Sequence, residues 1–120
     1  MSQLQKFRET LATYRRHGWR LARVLMTEGT LAQARLEVAA GDEAGGAFVF
    51  EGAAVEASEF DAMWLTRPSH GGREAWELRL VAEPPYALFE LFEADEEEED
   101  RADVRREMEA RLRDYVSPPG

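Results

Sequence analysis

The sequence predicts an α+β domain whose N- and C-terminal helices pack on one face of a four- to five-stranded, mostly antiparallel sheet. Three patterns carry this prediction: an apolar stripe at helical spacing near the N-terminus, strand-like runs over residues 60–92, and a second helical stripe near the C-terminus. A chain of 120 residues that folds as one unit buries about two-thirds of its unfolded surface. We therefore expect a single domain over residues 1–120.

The first helix is predicted by its apolar spacing and by signals at both ends. Its apolar residues recur three and four positions apart and share one face: Leu4, Phe7, Leu11 and Tyr14. Ser2 is a favourable N-cap residue, and Gly18 can take the left-handed conformation that often follows a helix. The start, the face and the end therefore agree on one helix.

Shorter elements are predicted between this helix and the C-terminal half. Residues 19–27, WRLARVLMT, are rich in strand-forming residues and predict a first strand. Thr27 or Thr30 would cap a short second helix that continues through residues 31–41 and ends at a glycine. After a loop rich in glycine and acidic residues, residues 47–52 predict a short strand.

The clearest sheet signal is an antiparallel meander within residues 60–92. The runs 60–66 and 74–82 flank a loop that contains proline and two glycines, which predicts a hairpin. In the second run, charged residues alternate with three apolar residues: Trp76, Leu78 and Leu80. Two prolines then turn the chain into a third strand over residues 86–93.

The acidic stretch that begins at Glu93 is predicted to lead into an amphipathic helix. Apolar residues at spacings of four, four and three share one helical face: Val104, Met108, Leu112 and Tyr115. Acid-before-base pairs four residues apart, such as Glu97 with Arg101 and Glu109 with Arg113, each favour an exposed helix by about 0.2–0.5 kcal/mol. Prolines near the end of the chain stop this helix.

Composition limits the class of protein. Apolar residues make up 44% of the chain and charged residues 32%, a balance too apolar for a disordered chain and too polar for a membrane protein. Cysteine is absent, which excludes a disulfide framework and a thiolate metal site. The N-terminal segment has no apolar core of signal-peptide length, so we expect a cytoplasmic protein that does not bind membranes. Two isolated histidines give no zinc spacing, and we expect no metal and no cofactor.

The net charge of −9 is unevenly distributed along the chain. Residues 1–36 hold seven Lys or Arg and two acids, whereas residues 37–120 hold eight Lys or Arg and 22 acids. If the first and last helices lie side by side, Arg8, Arg15 and Arg16 would face the acidic start of the last helix. The excess of negative charge repels phosphate, so direct binding to nucleic acid is not expected.

A loop histidine and three charged residues near it form a candidate ligand-binding site. His70 and Arg73 lie in or beside the predicted turn, and Glu77 and Arg79 lie on the solvated face of the strand that follows. Such a histidine can act as a general base, and an arginine beside glycine amides can hold an anion. A polar turn and ordinary cross-strand pairs explain the same residues. A small enzyme or ligand binder that uses the open sheet face is therefore an alternative function.

The leading interpretation is a non-catalytic protein-interaction or regulatory module. Its predicted interaction surface is the acidic start of the last helix: Glu96, Glu97, Asp100 and Asp103. The expected partner is another protein, with a homodimer as one form, because the strand edges of an open sheet need covering. A third alternative is an acidic mimic that blocks a nucleic-acid-binding protein. Residues 93–103 hold eight acids, which in a helix gives one negative charge per roughly 2 Å, against about 1.7 Å in duplex DNA.

Overall fold

A computed structural model describes residues 2–37 and 48–118 of the chain. In chain order these residues form α1 (Gln3–Arg16), β1 (Arg20–Met26), α2 (Glu28–Glu37), β2 (Val49–Phe50), β3 (Ala53–Ala57), β4 (Ala62–Pro68), β5 (Glu74–Leu80), β6 (Tyr86–Phe92) and α3 (Glu98–Val116). A single 3₁₀ turn, His70–Gly72, lies between β4 and β5. The predicted α+β class, with helices flanking a mostly antiparallel sheet, is confirmed.

Helix α1 begins and ends where the sequence predicts. The Ser2 hydroxyl accepts a hydrogen bond from the backbone N–H of Gln5 at 3.1 Å, and Gly18 has a φ of +86°. The buried residues of this helix are the first three of the predicted stripe: Leu4, Phe7 and Leu11. The apolar stripe is thus the face that packs on the sheet.

Helix α2 begins one residue after Thr27. Of the two predicted caps, Thr27 is therefore the residue before the helix, whereas Thr30 lies inside the helix and is buried. The predicted end of this helix at residue 41 and the loop after it lie outside the described residues.

The six strands form one sheet in the order β2-β3-β1-β4-β5-β6. Strands β1 and β3 pair in parallel, and all other neighbours pair antiparallel. The predicted meander over residues 60–92 is confirmed as β4, β5 and β6. The sheet has six strands where four or five were predicted, because the sequence of β3, AAVEA, contains only one strong strand-forming residue.

The terminal helices cover opposite faces of the sheet, which corrects the prediction that both pack on one face. Met63 and Leu65 of β4 pack with residues of α1 and α2, whereas Ala62 and Trp64 of the same strand pack with residues of α3. Alternate residues of a strand point to opposite faces of a sheet. Strand β4 is therefore buried on both sides and couples two apolar clusters.

Helix α3 carries the predicted apolar stripe. Met108 and Leu112 are buried, Val104 is partly buried, and the ring of Tyr115 stacks on Tyr86 with the two centroids 3.8 Å apart. The first acids of the stretch precede the helix, which starts at residue 98. Among the described residues no helix, α3 included, is both long and apolar enough to cross a membrane.

Ion pairs join different elements of the fold and depart from the predicted pattern. Arg8 of α1 contacts Glu37 of α2 at 2.6 Å and Glu51 at 3.0 Å. The hydrogen bond from Arg8 holds the pKa of Glu37 below its ordinary value. In α3, Arg101 contacts Glu74 of β5 at 2.9 Å rather than the predicted partner Glu97, which precedes the helix. The predicted pairing of α1 bases with α3 acids is wrong, because the sheet separates the two helices.

Candidate functional site

Strand β6 forms one edge of the sheet. It is the last strand in the sheet order, so one row of its backbone N–H and C=O groups faces away from β5. Phe89 is 58% exposed, Leu91 is 37% exposed, and Ala87 is also exposed. We call this outer edge together with Ala87, Phe89 and Leu91 the β6 surface.

The exposed side chains of the β6 surface lie on the sheet face that carries α1. Each of them lies opposite a β5 residue that points away from α3. Phe89, for example, lies opposite Glu77, which stands between the α3-facing residues Trp76 and Leu78. The intervening residues of β6 face the other way: Leu88 and Phe92 are buried on the α3 side. Among residues 2–37 and 48–118, α3 thus covers one face of β6, and no element covers the other face.

The β6 edge lacks the features that usually prevent strand addition. Its seven residues, YALFELF, contain one charged residue, Glu90, and neither lysine nor proline. Its pairing with β5 continues without a bulge. The other edge strand, β2, is only two residues long. In the part of the chain that the structure describes, β6 is therefore the longer edge available for pairing with another chain.

A cleft between the end of α1 and the β4–β5 turn adjoins the β6 surface. Its volume is about 510 Å³, and its lining includes both histidines of the chain, His17 and His70, with Arg67 and Phe89. Arg67 donates a hydrogen bond to the backbone oxygen of His17 at 2.8 Å and lies 4.8 Å from the centroid of the Trp19 ring. These contacts hold a positive charge beside the open face of β6.

The four residues of the predicted ligand site divide into three places. His70 lines the cleft beside β6. Arg73 points instead to a carboxylate that follows β6, at 3.0 Å. Glu77 and Arg79 both contact the hydroxyl of Tyr14. The structure brings Glu77 and Arg79 together, does not group them with His70 or Arg73, and leaves a ligand-binding role of the four as a prediction.

Tyr14 connects α1 to the open half of the sheet. Its hydroxyl donates a hydrogen bond to Glu77 and accepts one from Arg79 at 3.3 Å. Burial first, and then the hydrogen bond to Glu77, raise the pKa of Tyr14 above its ordinary value, while Arg79 opposes this shift. The folded chain therefore holds the phenolic proton more tightly than the unfolded chain does.

Replacing Tyr14 with phenylalanine is expected to make stability less sensitive to alkaline pH. A raised folded pKa stabilises the fold below the unfolded value, about 10 for tyrosine, and this contribution is lost as the pH rises through the folded pKa. The variant also loses a hydrogen bond, at about 1 kcal/mol near neutral pH. Urea denaturation between about pH 8 and about pH 11 measures both effects. Equal alkaline slopes in the two proteins would contradict this role of Tyr14, and Tyr115→Phe, at a residue that is 44% exposed, serves as the control.

The acidic residues predicted as an interaction surface lie around the start of α3. Glu97 precedes the first helical residue and Asp100 lies in the first turn, and both are exposed. Asp103 is exposed and pairs with an arginine three residues later. Glu96 accepts a hydrogen bond from the backbone N–H of Glu93 at 2.9 Å, which folds it back toward the end of β6. Three of the four carboxylates are thus exposed around the start of α3.

The edge position of β6 is a feature that the sequence analysis did not identify. A signal is present in the strand itself, since six of the seven residues of YALFELF are apolar. A strand with apolar residues on both faces needs cover on both faces. Only the α3 side is covered within the described residues, and this becomes visible once strand order and helix placement are known.

Comparison with protein families, with curated proteins and with solved structures finds no match for this chain. Its function is therefore inferred from the exposure, charge and contacts of its own residues.

Proposed function

We propose that the chain is a cytoplasmic, non-catalytic protein-interaction module that forms a homodimer through the β6 surface. The observation that carries this proposal is a seven-residue edge strand with Phe89 58% exposed and Leu91 37% exposed beside it. An unprotected apolar edge of this kind readily accepts another strand. A second copy supplies a strand of the same length and pattern, and two-fold dimers are the commonest soluble oligomers.

In the proposed dimer, the two β6 strands pair antiparallel about a two-fold axis at Phe89, the middle residue of the strand. The pairing joins the two sheets and gives hydrogen-bond partners to the backbone groups of both edges. Directly opposite residues share a sheet face, so Leu91 lies opposite Ala87 of the partner subunit. The exposed apolar side chains of each copy would then cover those of the other.

The direction of α3 relative to β6 decides which parts of the two helices approach each other. Arg101, near the start of α3, donates a hydrogen bond to the backbone oxygen of Glu93, just after β6, at 2.7 Å. Tyr115, near the end of α3, stacks on Tyr86 at the start of β6. Helix α3 therefore runs antiparallel to β6. Antiparallel pairing of the two β6 strands brings the start of one α3 toward the end of the other.

The charge pattern of α3 favours this arrangement. Residues 93–103 hold eight acids and one arginine, a net charge of −7, whereas residues 104–116 hold four arginines and three acids, a net charge of +1. In the dimer the strongly acidic segment of each copy faces the slightly basic segment of the other. Glu97 and Asp100 would form the acidic side of this contact.

Phe89→Lys is the test of the homodimer. We expect light scattering with size exclusion to give the wild-type protein twice the chain mass of 13.6 kDa, and the variant the mass of one chain. Two lysines would meet at the axis, where directly opposite like charges are destabilising. Because Phe89 is more than half exposed, the substitution is expected to leave the fold of each chain intact.

Leu36→Lys is the matched control, since Leu36 is 76% exposed and lies on α2, away from β6. This variant should retain the mass of the wild-type protein. A wild-type protein with the mass of one chain at every concentration would overturn the proposal. Dissociation of both variants to the same degree would also overturn it, because the β6 edge would then have no special role.

A further inference from the structure

A second cleft, of about 340 Å³, lies on the α3 face of the sheet, between α3 and the exposed first half of β1. Trp64 and Trp76 line its inner wall together with three arginines and two carboxylates: Arg23, Arg105, Arg106, Glu98 and Glu109. We call it the tryptophan cleft. Its volume falls at the lower end of the roughly 300–1,000 Å³ found for small-molecule sites. It lies on the sheet face opposite to the exposed side chains of the β6 surface.

The two indole rings of the tryptophan cleft have fixed orientations. Nε1 of Trp64 donates a hydrogen bond to Glu109 at 2.8 Å, and Nε1 of Trp76 donates one to Glu74 at 3.1 Å. The rings meet edge to face with centroids 6.0 Å apart. Both indole donors are already engaged, and because Trp64 is only 2% exposed, the partly buried ring of Trp76 supplies most of the ring carbons that can face a ligand. Such a wall favours a flat apolar group.

Arg105 covers part of this aromatic wall. Its guanidinium lies 4.7 Å from the centroid of the Trp76 ring and pairs with Glu98. Only 20% of the Arg105 side chain is exposed, against 73% of Glu98. The cation is thus held by packing on the aromatic ring, whereas its carboxylate partner can move away into water.

Two further arginines stand at the rim with exposed partners. Arg23 contacts Glu56 at 3.4 Å, and Arg106 contacts Asp103. All four of these side chains are at least half exposed, so these pairs contribute little to stability. A ligand anion can therefore replace the two carboxylates at small cost, and a guanidinium binds carboxylate, sulfonate or phosphate oxygens with two parallel hydrogen bonds.

We propose that the tryptophan cleft binds a small planar aromatic anion. The ring of the ligand packs against Trp76, whose ring lies edge to face with the buried Trp64, and its anionic group is held by Arg23 and Arg106. This site lies apart from the paired edge of the proposed homodimer, because none of its residues belongs to the β6 surface. The ligand class of the module is then an aromatic ring that bears a carboxylate, sulfonate or phosphate. Without the arginines of the cleft, the whole-chain charge of −9 would repel such an anion.

The proposal is tested by titrating ¹⁵N-labelled full chain with naphthalene-2-sulfonate and, separately, with the neutral 2-naphthalenemethanol. The chain has three tryptophans, so three indole N–H signals report on binding. The signals of Trp64 and Trp76 should move, whereas that of Trp19 should stay, because Trp19 packs in the α1 cluster on the other face. The neutral probe should bind about tenfold more weakly, since it lacks the charge that the arginines recognise.

The double variant Arg23→Gln and Arg106→Gln should bind the sulfonate about tenfold more weakly and leave the affinity for the alcohol unchanged. Arg15→Gln with Arg16→Gln is the matched control, because it removes two exposed arginines from α1 and should bind like the wild type. Equal affinities of the wild type for the two probes would overturn the proposal. So would a shift confined to Trp19, an absence of binding, or equal losses in the two double variants.

Discussion

Replacing Leu112 with alanine is expected to lower the free energy of unfolding by about 2–5 kcal/mol. Leu112 is fully buried and packs with Met108, Leu78 and Leu88 beneath α3. The smaller side chain loses apolar contacts and leaves a cavity that a sheet paired on both sides of β5 cannot close. Urea denaturation followed by circular dichroism measures the loss.

Leu36→Ala is the control for this prediction, because it makes the same chemical change on a side chain that is 76% exposed. Its effect should stay within about 0.5 kcal/mol. If the two variants lose equal stability, or if Leu112→Ala loses less than about 1 kcal/mol, α3 does not pack on the sheet as described.

The buried state of β4 determines how a loss beneath α3 spreads through the molecule. Ala62 and Trp64 contact the α3 cluster, whereas Met63 and Leu65 contact the α1 cluster, and all four are at most 2% exposed. A disturbance of one cluster therefore acts on a strand that the other cluster shares. We expect Leu112→Ala to unfold in a single transition, with both clusters lost together.

The elements that were predicted from the sequence depend on local pattern. The stripe of α1, with Ser2 before it and Gly18 after it, can be read from residues 2–18 alone. The meander also depends on short loops, so β4, β5 and β6 pair in chain order. Strand β3 was missed because its alanines carry little strand preference and its position is fixed by parallel pairing with β1.

The faces that the helices cover depend on contacts between distant residues. The run Ala62–Leu65 is apolar without alternation, which is typical of a strand covered on both faces, and this signal was not used in the prediction. The contact of Tyr14 with Glu77 can be predicted only if the position of α1 on the sheet is known. The open edge at Phe89 can be predicted only if the strand order is known. The candidate site therefore could not be assembled from the sequence, although its residue types were visible there.

Replacing Asp61 with alanine is expected to lower the free energy of unfolding by about 2–4 kcal/mol, since hydrogen bonds to charged groups are each worth about 1.5–3 kcal/mol and do not add fully. One carboxylate oxygen of Asp61 accepts from the backbone N–H of Thr27 at 2.8 Å. The other accepts from the Thr30 hydroxyl at 2.8 Å and from the Gln3 amide at 3.0 Å. Asp61, the residue before β4, thus joins the start of α1 to the start of α2. Thermal and urea denaturation measure the loss.

Asp61→Asn separates the acceptor role of this side chain from its shape. The amide keeps one oxygen that can accept from Thr27, but its nitrogen cannot accept from Gln3, which already donates to the backbone oxygen of Val81 at 2.8 Å. The free energy of unfolding of this variant should therefore lie between those of the wild type and the alanine variant. An asparagine variant as stable as the wild type would contradict the proposed role of the second carboxylate oxygen.

Hydrogen exchange locates the effect of the Asp61 substitutions within the fold. All three partners lie at the ends of α1 and α2 or between β1 and α2, so the amides of α2, such as that of Leu31, should lose protection first. The amide of Met108 in α3 should lose protection only to the extent that global stability falls, because α3 packs on the opposite face. Equal local losses in α2 and α3 would mean that Asp61 supports the sheet itself rather than the attachment of the two helices on one face.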